Sequence, residues 1–367
     1  MDILNEQLEA QPDRGGPGHT GPCIAMFIGR MILVKSSERG NGAGGTGSRK
    51  VRRLWPVPRR FRFGYQLNTD DPDAVRDQAR TAEAAGFDVV CSGDHLGRSY
   101  SALTVLTAAA GWTERIRLAP LVLNNDFHHP AVLAQELASL DRLCGGRVEV
   151  GIGAGHAFTE YAATGIPFDP PAARKARLAE TTEILRRLLD GEEVTYAGTY
   201  YRLSAVSVLR PVQAHVPILV GVNGKAALAH AARHADIIGL TMLGRTLPDG
   251  QHHEVCWEPT RLDATVAWIR EQAAGRSDYL ELNALIQAVV VTDDRSAAAE
   301  DLAGRVPGLH AAHALGTPFL AIGTEDEIAR HLQDCRSRWG ISYFVVREME
   351  RFAPIIERLR WSEDCDQ

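Results

Sequence analysis

The chain has 367 residues, 45% of them hydrophobic and 23% charged, and a formal net charge of −6 at pH 7. This composition is typical of a globular protein, and so small a net charge favours neither nucleic acid nor an anionic membrane surface as a partner. The six cysteines are scattered and form no C-x-x-C pair, which argues against a zinc ribbon or a disulfide framework and fits a reducing cytoplasm.

Residues 1–60 differ in composition from the rest of the chain. Segments 12–22 and 39–48 are rich in Gly, Pro and Ser and too poor in apolar side chains to offset the entropy of ordering. The apolar run 25–34 contains Arg30 and is too short to span a bilayer, and the acidic N-terminus is not that of a secretory signal. The basic stretch 49–53 is interpreted as a solvated linker rather than a nucleic-acid or lipid contact. We therefore predict a flexible N-terminal extension and a cytoplasmic protein.

From residue 61 onward, short apolar segments alternate with amphipathic ones. Strands are predicted at 61–67, 87–91, 116–123, 148–152, 217–222, 237–241, 282–291 and 342–346. Helices are predicted at about 73–86, 103–112, 130–143, 174–189, 226–234, 260–274, 325–339 and 352–359. A hairpin is predicted at 194–203, where residues alternate around Ala197-Gly198.

Eight apolar strands separated by helices predict a parallel sheet that is buried on both faces. About 300 residues is the size of one closed (β/α)₈ TIM barrel with insertions. We predict such a barrel over 61–360, with insertions after strands 4, 6 and 7 and a tail at 361–367. An open doubly wound sheet is the alternative, but residues 68–73 lack the glycine-rich turn that a dinucleotide-binding fold places after its first strand.

In a barrel of this kind, functional side chains follow the carboxyl ends of the strands. The second strand leads into Asp94-His95, a pair that can hold charge and exchange a proton beside a bound ring. The alternative is a loop histidine held by the neighbouring aspartate. The third strand ends at a turn that begins with Asn124 and continues to His128-His129. These adjacent histidines have no further ligand nearby in the sequence, so no metal is predicted there.

Two glycine-containing turns follow the fourth and fifth strands. The segment 151–156 (GIGAGH) lets backbone N–H groups approach a phosphate or a flat ring, unless it is a simple tight turn. The segment 221–225 (GVNGK) directly precedes a helix and predicts an anion site, unless Asn223 is an ordinary N-cap. On that helix His230 and His234 have the spacing of a zinc-binding pair, but Ala231 stands where a general-base Glu is needed, so we assign both histidines to packing or surface.

Several motifs, in this order, resemble the luciferase-like superfamily and specifically its coenzyme F420-dependent oxidoreductases. They are A-x-x-A-G-F-D-x-x-x-x-x-D-H (82–95), G-G-R-x-x-x-G-x-G-x-G (145–155), P-I-L-V-G-V-N-G (217–224), I-G-T-x-x-x-I-x-x-x-L (322–332) and G-I-S-Y-F-V-V (340–346). The resemblance covers about 61–360, nearly the whole predicted barrel.

The resemblance implies a deazaflavin held at the strand ends and hydride transfer to or from a small organic substrate, in a homodimer. It places Asp94 at the head group, His95 beside the reactive carbon as proton donor or charge stabiliser, and a non-prolyl cis peptide at Leu121-Val122. The predicted catalytic residues are His95, which the resemblance implies, and His156, which follows the glycine turn. The implied cofactor-binding residues are Asp94, Leu121, Val122, Asn124, Gly153, Ala154, Gly155, Val222, Asn223, Gly224 and Lys225.

One position departs from the family pattern. Relatives that oxidise sugar phosphates carry a Glu as proton acceptor directly after the glycine turn, where this sequence has His156. The sugar-phosphate substrate is therefore not carried over. Two alternatives stay open: an FMN-dependent monooxygenase on the same scaffold, served by a separate flavin or F420 reductase, and a cofactor-binding protein without turnover.

Overall fold

The computed structural model describes residues 59–365, apart from 70, 72–73, 98–99, 247–252 and 307. The predicted flexible extension therefore lies outside the described residues, except for Arg59 and Arg60. The division into extension, barrel and tail stays a prediction.

Fifteen strands occur in the part of the chain that the structure describes. They are β1 (Arg62–Gln66), β2 (Val89–Ser92), β3 (Arg117–Pro120), β4 (Leu123–Asn124), β5 (Val150–Gly153), β6 (Val194–Ala197), β7 (Arg202–Val206), β8 (Ile218–Val222), β9 (Ile237–Leu240), β10 (Leu243–Thr246), β11 (His253–Val255), β12 (Glu281–Leu285), β13 (Ala288–Val291), β14 (Leu320–Gly323) and β15 (Ile341–Val346).

The α-helices of the same residues mostly follow the strands. They are α1 (Val75–Ala84), α2 (Ala102–Trp112), α3 (Pro130–Leu143), α4 (Phe158–Thr164), α5 (Pro171–Leu189), α6 (Lys225–His234), α7 (Pro259–Gln272), α8 (Arg295–Arg305), α9 (Ala311–Ala314), α10 (Glu325–Trp339) and α11 (Met349–Cys365). None of the described helices is both long enough and apolar enough to cross a membrane.

The main sheet closes into a barrel. Its hydrogen-bonded order is β3-β2-β1-β15-β12-β9-β8-β5-β4, and all of these pairs are parallel. Strands β3 and β4 are the two halves of one barrel strand. The ends of the order meet because Leu118 of β3 pairs with Val148 just before β5, where the backbone N–H of Leu118 donates to the carbonyl of Arg147 at 2.9 Å. The barrel thus has eight strands, which confirms the predicted TIM barrel and excludes the open doubly wound alternative.

Local sequence explains why these elements form. Every residue of β15 is buried, as expected for a strand covered by helices on one face and by the barrel interior on the other. Helix α10 begins with a capping box between Thr324 and Glu327 and ends at Gly340, whose φ of 76° closes the helix in the left-handed conformation.

The barrel interior is layered along its axis. Near the amino-terminal ends of the strands, Arg62 pairs with the carboxylates of Glu149 and Glu281, and Arg117 reaches Glu149 at 2.6 Å. Burial raises the pKa of Glu281 even though Arg62 opposes that shift. Above this charged layer lies a small buried cluster formed by Val89, Cys91, Ala119, Leu219, Ile237, Tyr343 and Val345. Among the described residues the barrel interior is therefore a packed core, which directs a cofactor-sized ligand to the carboxyl ends of the strands.

The insertions lie where the sequence predicted them. After the fourth barrel strand come α4, α5 and the β6–β7 hairpin, after the sixth the β10–β11 hairpin, and after the seventh β13, α8, α9 and β14.

The predicted strand 282–291 was wrong in one respect, because it is two strands. Strand β12 lies in the barrel, whereas β13 pairs with β14 outside it. The partner changes between Ile286, whose N–H donates to Val345, and Gln287, whose N–H donates to Phe319. The segment 282–291 is mostly apolar, and one polar residue at the point of change, Gln287, does not by itself predict a break in the strand. The terminal helix is also longer than predicted, since α11 continues to Cys365.

Candidate active site

The predicted site residues come together at one end of the barrel. They follow β2, β4, β5 and β8, which are consecutive around the barrel once β3 and β4 are counted as one strand. Because the strands are parallel, their carboxyl ends share one rim, which we call the barrel mouth.

Asp94 joins the ends of two strands at this mouth. Its Oδ2 accepts hydrogen bonds from the backbone N–H of Asn124 at 2.9 Å and from Nε2 of His128 at 3.0 Å. The sequence left open that Asp94 holds its neighbour His95. The bonds show instead that the histidine bound to Asp94 is His128. Asp94 therefore fixes the position of β4 relative to β2.

His95 is held by a carboxylate that the sequence reasoning missed. Its Nδ1 lies 2.8 Å from Oε1 of Glu160, which comes from the first turn of α4 and is 13% exposed, whereas the His95 side chain is 51% exposed. The ring of His156 meets that of His95 edge to face, with centroids 5.6 Å apart. A carboxylate on one imidazole nitrogen sets the tautomer, so Nδ1 carries the proton toward Glu160.

The turn after β4 is built around a buried tyrosine. Asn124 Oδ1 accepts from the hydroxyl of Tyr161 at 3.0 Å and from the backbone N–H of Asp126 at 3.1 Å. Burial raises the pKa of Tyr161 to about 12, with the nearby Asp126 adding to the effect, so the phenol keeps its proton. Asn124 is itself buried. Its side-chain oxygen is occupied by these two donors, and the cofactor contact predicted for Asn124 stays a prediction.

The peptide bond between Leu121 and Val122 is cis, as the resemblance implied. Both residues are partly exposed at the mouth. A glycine of the neighbouring strand makes room for Val122, since a Cβ on Gly153 would lie 2.8 Å from its Cγ2. Because Gly153 has no side chain, Val122 can pack against its backbone. Val122 in turn forms part of the surface of the mouth.

The end of the same glycine turn is also tightly enclosed. Gly155 has a φ of 72°, and a Cβ there would lie 2.0 Å from the hydroxyl of Tyr161. Its carbonyl accepts a hydrogen bond from the guanidinium of Arg174 on α5. Ala154 is partly exposed and His156 is exposed. The turn is therefore held from both sides and presents its middle and last residues to solvent.

The positively charged side chain beside the segment after β8 is not that of Lys225, which the sequence predicted. Asn223 Oδ1 accepts from Nζ of Lys175 on α5 at 2.9 Å. Burial, together with neighbouring Arg174, lowers the pKa of Lys175. The ammonium of Lys225 instead lies 5.2 Å from the ring centroid of Trp268 on α7. The positive charge next to Asn223 is therefore that of Lys175.

The N-cap residue of α6 is not Asn223, the residue that the sequence offered as an ordinary N-cap. The N-cap residue is Gly224, with a φ of 84° and no side-chain cap, rather than Asn223. Val222, the residue before Asn223, is buried and belongs to the wall of the barrel. The first N–H groups of α6 are consequently not satisfied by a capping side chain.

Residues 51–338 match the family model described as luciferase-like monooxygenase. This chain belongs to the luciferase-like monooxygenase family. The F420-dependent glucose-6-phosphate dehydrogenase of Microbacterium testaceum is 32% identical over 267 residues, which cover 61% of this chain and 79% of that protein. Membership confirms the family resemblance and the predicted enzyme class, an oxidoreductase.

Solved structures of two other proteins share the fold. The coenzyme F420-dependent tetrahydromethanopterin reductase of Methanopyrus kandleri has a TM-score of 0.64 at 21% identity, covering 82% of this chain and 100% of that one. The monooxygenase RslO1 of Streptomyces bottropensis has a TM-score of 0.63 at 25% identity, covering 81% and 99%. The same barrel therefore occurs in proteins named for different reactions.

In this luciferase-like protein, three polar residues at the mouth escaped the sequence reasoning: Gln66, Glu160 and Lys175. Gln66 ends β1, and its Oε1 is buried without a hydrogen-bond partner in the described part of the chain. A polar residue at the very end of the first strand could have been singled out by its position alone. Glu160 and Lys175 lie on helices of the insertion, where nothing in the local sequence points toward the mouth.

Proposed function

We propose that this chain is an F420-dependent oxidoreductase that transfers a hydride between the deazaflavin and a small organic substrate at the barrel mouth. Its similarity to proteins named F420-dependent glucose-6-phosphate dehydrogenases supports this choice of cofactor. The observation that carries the proposal is that the partly exposed Leu121 and Val122, the latter packed against Gly153, lie at the same barrel mouth as the His95–Glu160 pair.

The residues at the mouth fit the chemistry of a deazaflavin with a negatively charged tail. The apolar surface of Leu121 and Val122 suits one face of a flat ring. The buried, unpartnered Oε1 of Gln66 can accept a hydrogen bond from a ring N–H. Lys175 and the uncapped start of α6 offer positive charge and N–H donors to a phosphate.

Coenzyme F420, when bound, supplies a hydride donor or acceptor that reacts poorly with oxygen, which favours a reductase or dehydrogenase over an oxygenase. The protein has to move the accompanying proton. His95 does so through Nε2, while Glu160 on Nδ1 holds the ring in position. His156, edge-on to His95, lines the same side of the mouth.

The substrate is proposed only as a small organic molecule. His156 occupies the position at which sugar-phosphate-oxidising relatives carry a Glu, so this chain lacks that carboxylate at that position. Glucose 6-phosphate is tested first because the relatives are named for it, and the proposal does not depend on its being accepted.

The cofactor is tested by titrating the purified protein with F420 and, separately, with FMN while following tryptophan fluorescence. We expect saturable F420 binding and at least tenfold weaker FMN binding. Preferential binding of FMN would overturn the F420 assignment in favour of a monooxygenase.

The role of His95 is tested with His95→Ala. We expect F420 affinity to be kept and hydride transfer, followed by loss of the deazaflavin absorbance with an accepted alcohol or sugar phosphate, to fall by about 100-fold or more. The matched control is His215→Ala, because His215 precedes β8 at the opposite end of the barrel, where it is bound to Asp236. Unchanged hydride transfer in His95→Ala would refute the assignment.

A further inference from the structure

A cluster of metal-ligating side chains lies on the outer wall of the barrel, away from the mouth. His230 and His234 stand one turn apart on α6, and their rings stack with centroids 4.4 Å apart. Glu183 reaches them from the adjacent helix α5. One ligand atom from each of the three residues lies within 4.8 Å of the others.

The environment of His230 suits a metal ligand. Its Nε2 is buried and has no hydrogen-bond partner within the described part of the chain. The imidazole donates to the backbone carbonyl of Ala179, one turn before Glu183 on α5, and since Nε2 has no partner this bond falls on Nδ1. A backbone carbonyl on one ring nitrogen, with the lone pair of the other directed at a cluster, is the usual arrangement of a metal-bound histidine.

The carboxylate is also held in place. Glu183 Oε2 accepts a hydrogen bond from the hydroxyl of Tyr196 on β6 at 3.2 Å. Such a second contact orients a ligating carboxylate in many metal sites. His234, by contrast, is exposed, so an ion here would be open to solvent on one side. A water molecule can then complete the coordination.

We propose that Glu183, His230 and His234 bind a divalent transition-metal ion of the zinc class between α5 and α6. Two imidazoles and one carboxylate suit Zn²⁺, with water as a fourth ligand. The sequence supplies only the histidine pair, and its missing carboxylate comes from a helix some 50 positions earlier in the chain.

The state of the histidines agrees with this site. Burial lowers the pKa of His230 to about 4, with the neighbouring His234 adding to the effect, so the ring is neutral at pH 7 and its lone pair is available. The site lies about 7 to 14 Å along α6 from Lys225, given the rise of an α-helix. An ion there would tie α6 to α5 without entering the mouth, so its role is structural and independent of the proposed hydride transfer.

The test is Zn²⁺ binding to the full chain, measured by isothermal titration calorimetry, with metal content checked after dialysis. We expect one equivalent of Zn²⁺ bound with micromolar or tighter affinity, and a rise in the melting temperature when Zn²⁺ is added. His234→Ala and Glu183→Gln should each weaken binding at least tenfold and abolish most of that rise. Because His234 is exposed and Gln keeps a hydrogen-bond acceptor for Tyr196, both variants should fold.

The matched control is His313→Ala. His310 and His313 also bring their rings together, 5.4 Å apart, but belong to no group of three ligands among the described residues. Zn²⁺ affinity should be unchanged in this variant. The proposal is overturned if the wild-type chain binds no Zn²⁺, if both site variants bind it as the wild type does, or if His313→Ala is the variant that loses it.

Discussion

Replacing Gly153 with alanine should weaken F420 binding by about 5- to 100-fold. The new Cβ would lie 2.8 Å from Cγ2 of Val122 and 3.3 Å from the carbonyl oxygen of Gly221. Non-bonded carbon atoms approach to about 3.5 Å, so Val122 has to move by roughly 0.7 Å or more. Overpacking of this kind costs about 1–3 kcal/mol. If Val122 supports the ring, F420 binding loses a similar free energy, and the affinity falls tenfold for about every 1.4 kcal/mol lost.

The assay is F420 titration alongside urea unfolding of the same preparation. Gly64→Ala is the matched control, since a Cβ on Gly64 would also lie 2.8 Å from a valine Cγ2, that of Val345, but within the barrel core. We expect both variants to lose stability and only Gly153→Ala to lose affinity. Gly111→Ala in α2, where a Cβ meets nothing within 4 Å, should keep affinity and gain about 0.5–1 kcal/mol of stability.

Two results would refute the reasoning. If folded Gly153→Ala binds F420 as tightly as the wild type, Val122 does not support the ring. If Gly64→Ala loses as much affinity as Gly153→Ala, the loss reflects general destabilisation rather than the shape of the mouth.

Three further predictions concern carboxylates. Glu83 accepts hydrogen bonds from the backbone N–H groups of Glu114, Arg115 and Ile116. Burial opposes the charged carboxylate, but these bonds outweigh it and lower the pKa of Glu83. Glu83→Gln should therefore lower the free energy of unfolding by about 1 kcal/mol at pH 7, measured by urea titration. That difference should persist above the unfolded-state pKa and close as the pH falls through the lower folded-state pKa. Glu149→Ala, which leaves Arg62 and Arg117 short of a buried partner, should cost about 3 kcal/mol, measured by urea unfolding. In steady-state assays, Glu160→Ala should lower kcat about tenfold or more while F420 affinity is kept. Glu160→Gln should keep part of the kcat that Glu160→Ala loses, because its amide oxygen can still accept a hydrogen bond from His95.

Each of these has a contradicting outcome. A Glu83→Gln deficit that is the same at pH 3 and pH 7 would show that the carboxylate charge is not what the three N–H groups stabilise. A loss below about 1 kcal/mol in Glu149→Ala would show that water compensates Arg62 and Arg117. For Glu160, a rise in KM with unchanged kcat would indicate a role in substrate binding rather than in positioning His95.

The architecture was readable from the sequence because a barrel strand is encoded in contiguous residues. Each of the eight apolar runs contains a barrel strand, since a strand buried on both faces needs apolar side chains at successive positions. The mouth was readable for the same reason, because parallel strands bring their carboxyl ends to one rim wherever they lie in the chain.

The partners of individual side chains were not readable. Glu160 meets His95 from 65 positions away, and Lys175 meets Asn223 from 48 positions away. Such contacts depend on the direction in which an inserted helix crosses the barrel, which no local pattern specifies. For the same reason, Lys225 was assigned to the mouth by its position in the chain, whereas packing of α7 places its ammonium on Trp268.

The cluster of Glu183, His230 and His234 divides in the same way. The spacing of the two histidines on one helix face is local information and stands in the sequence itself. Whether a carboxylate faces them is decided by the packing of α5 against α6, because only the assembled wall brings Glu183 within reach. The sequence by itself determined the barrel and the location of its mouth, and the tertiary structure decided which charges meet, since a pairing energy depends on distances that exist only after the helices have packed.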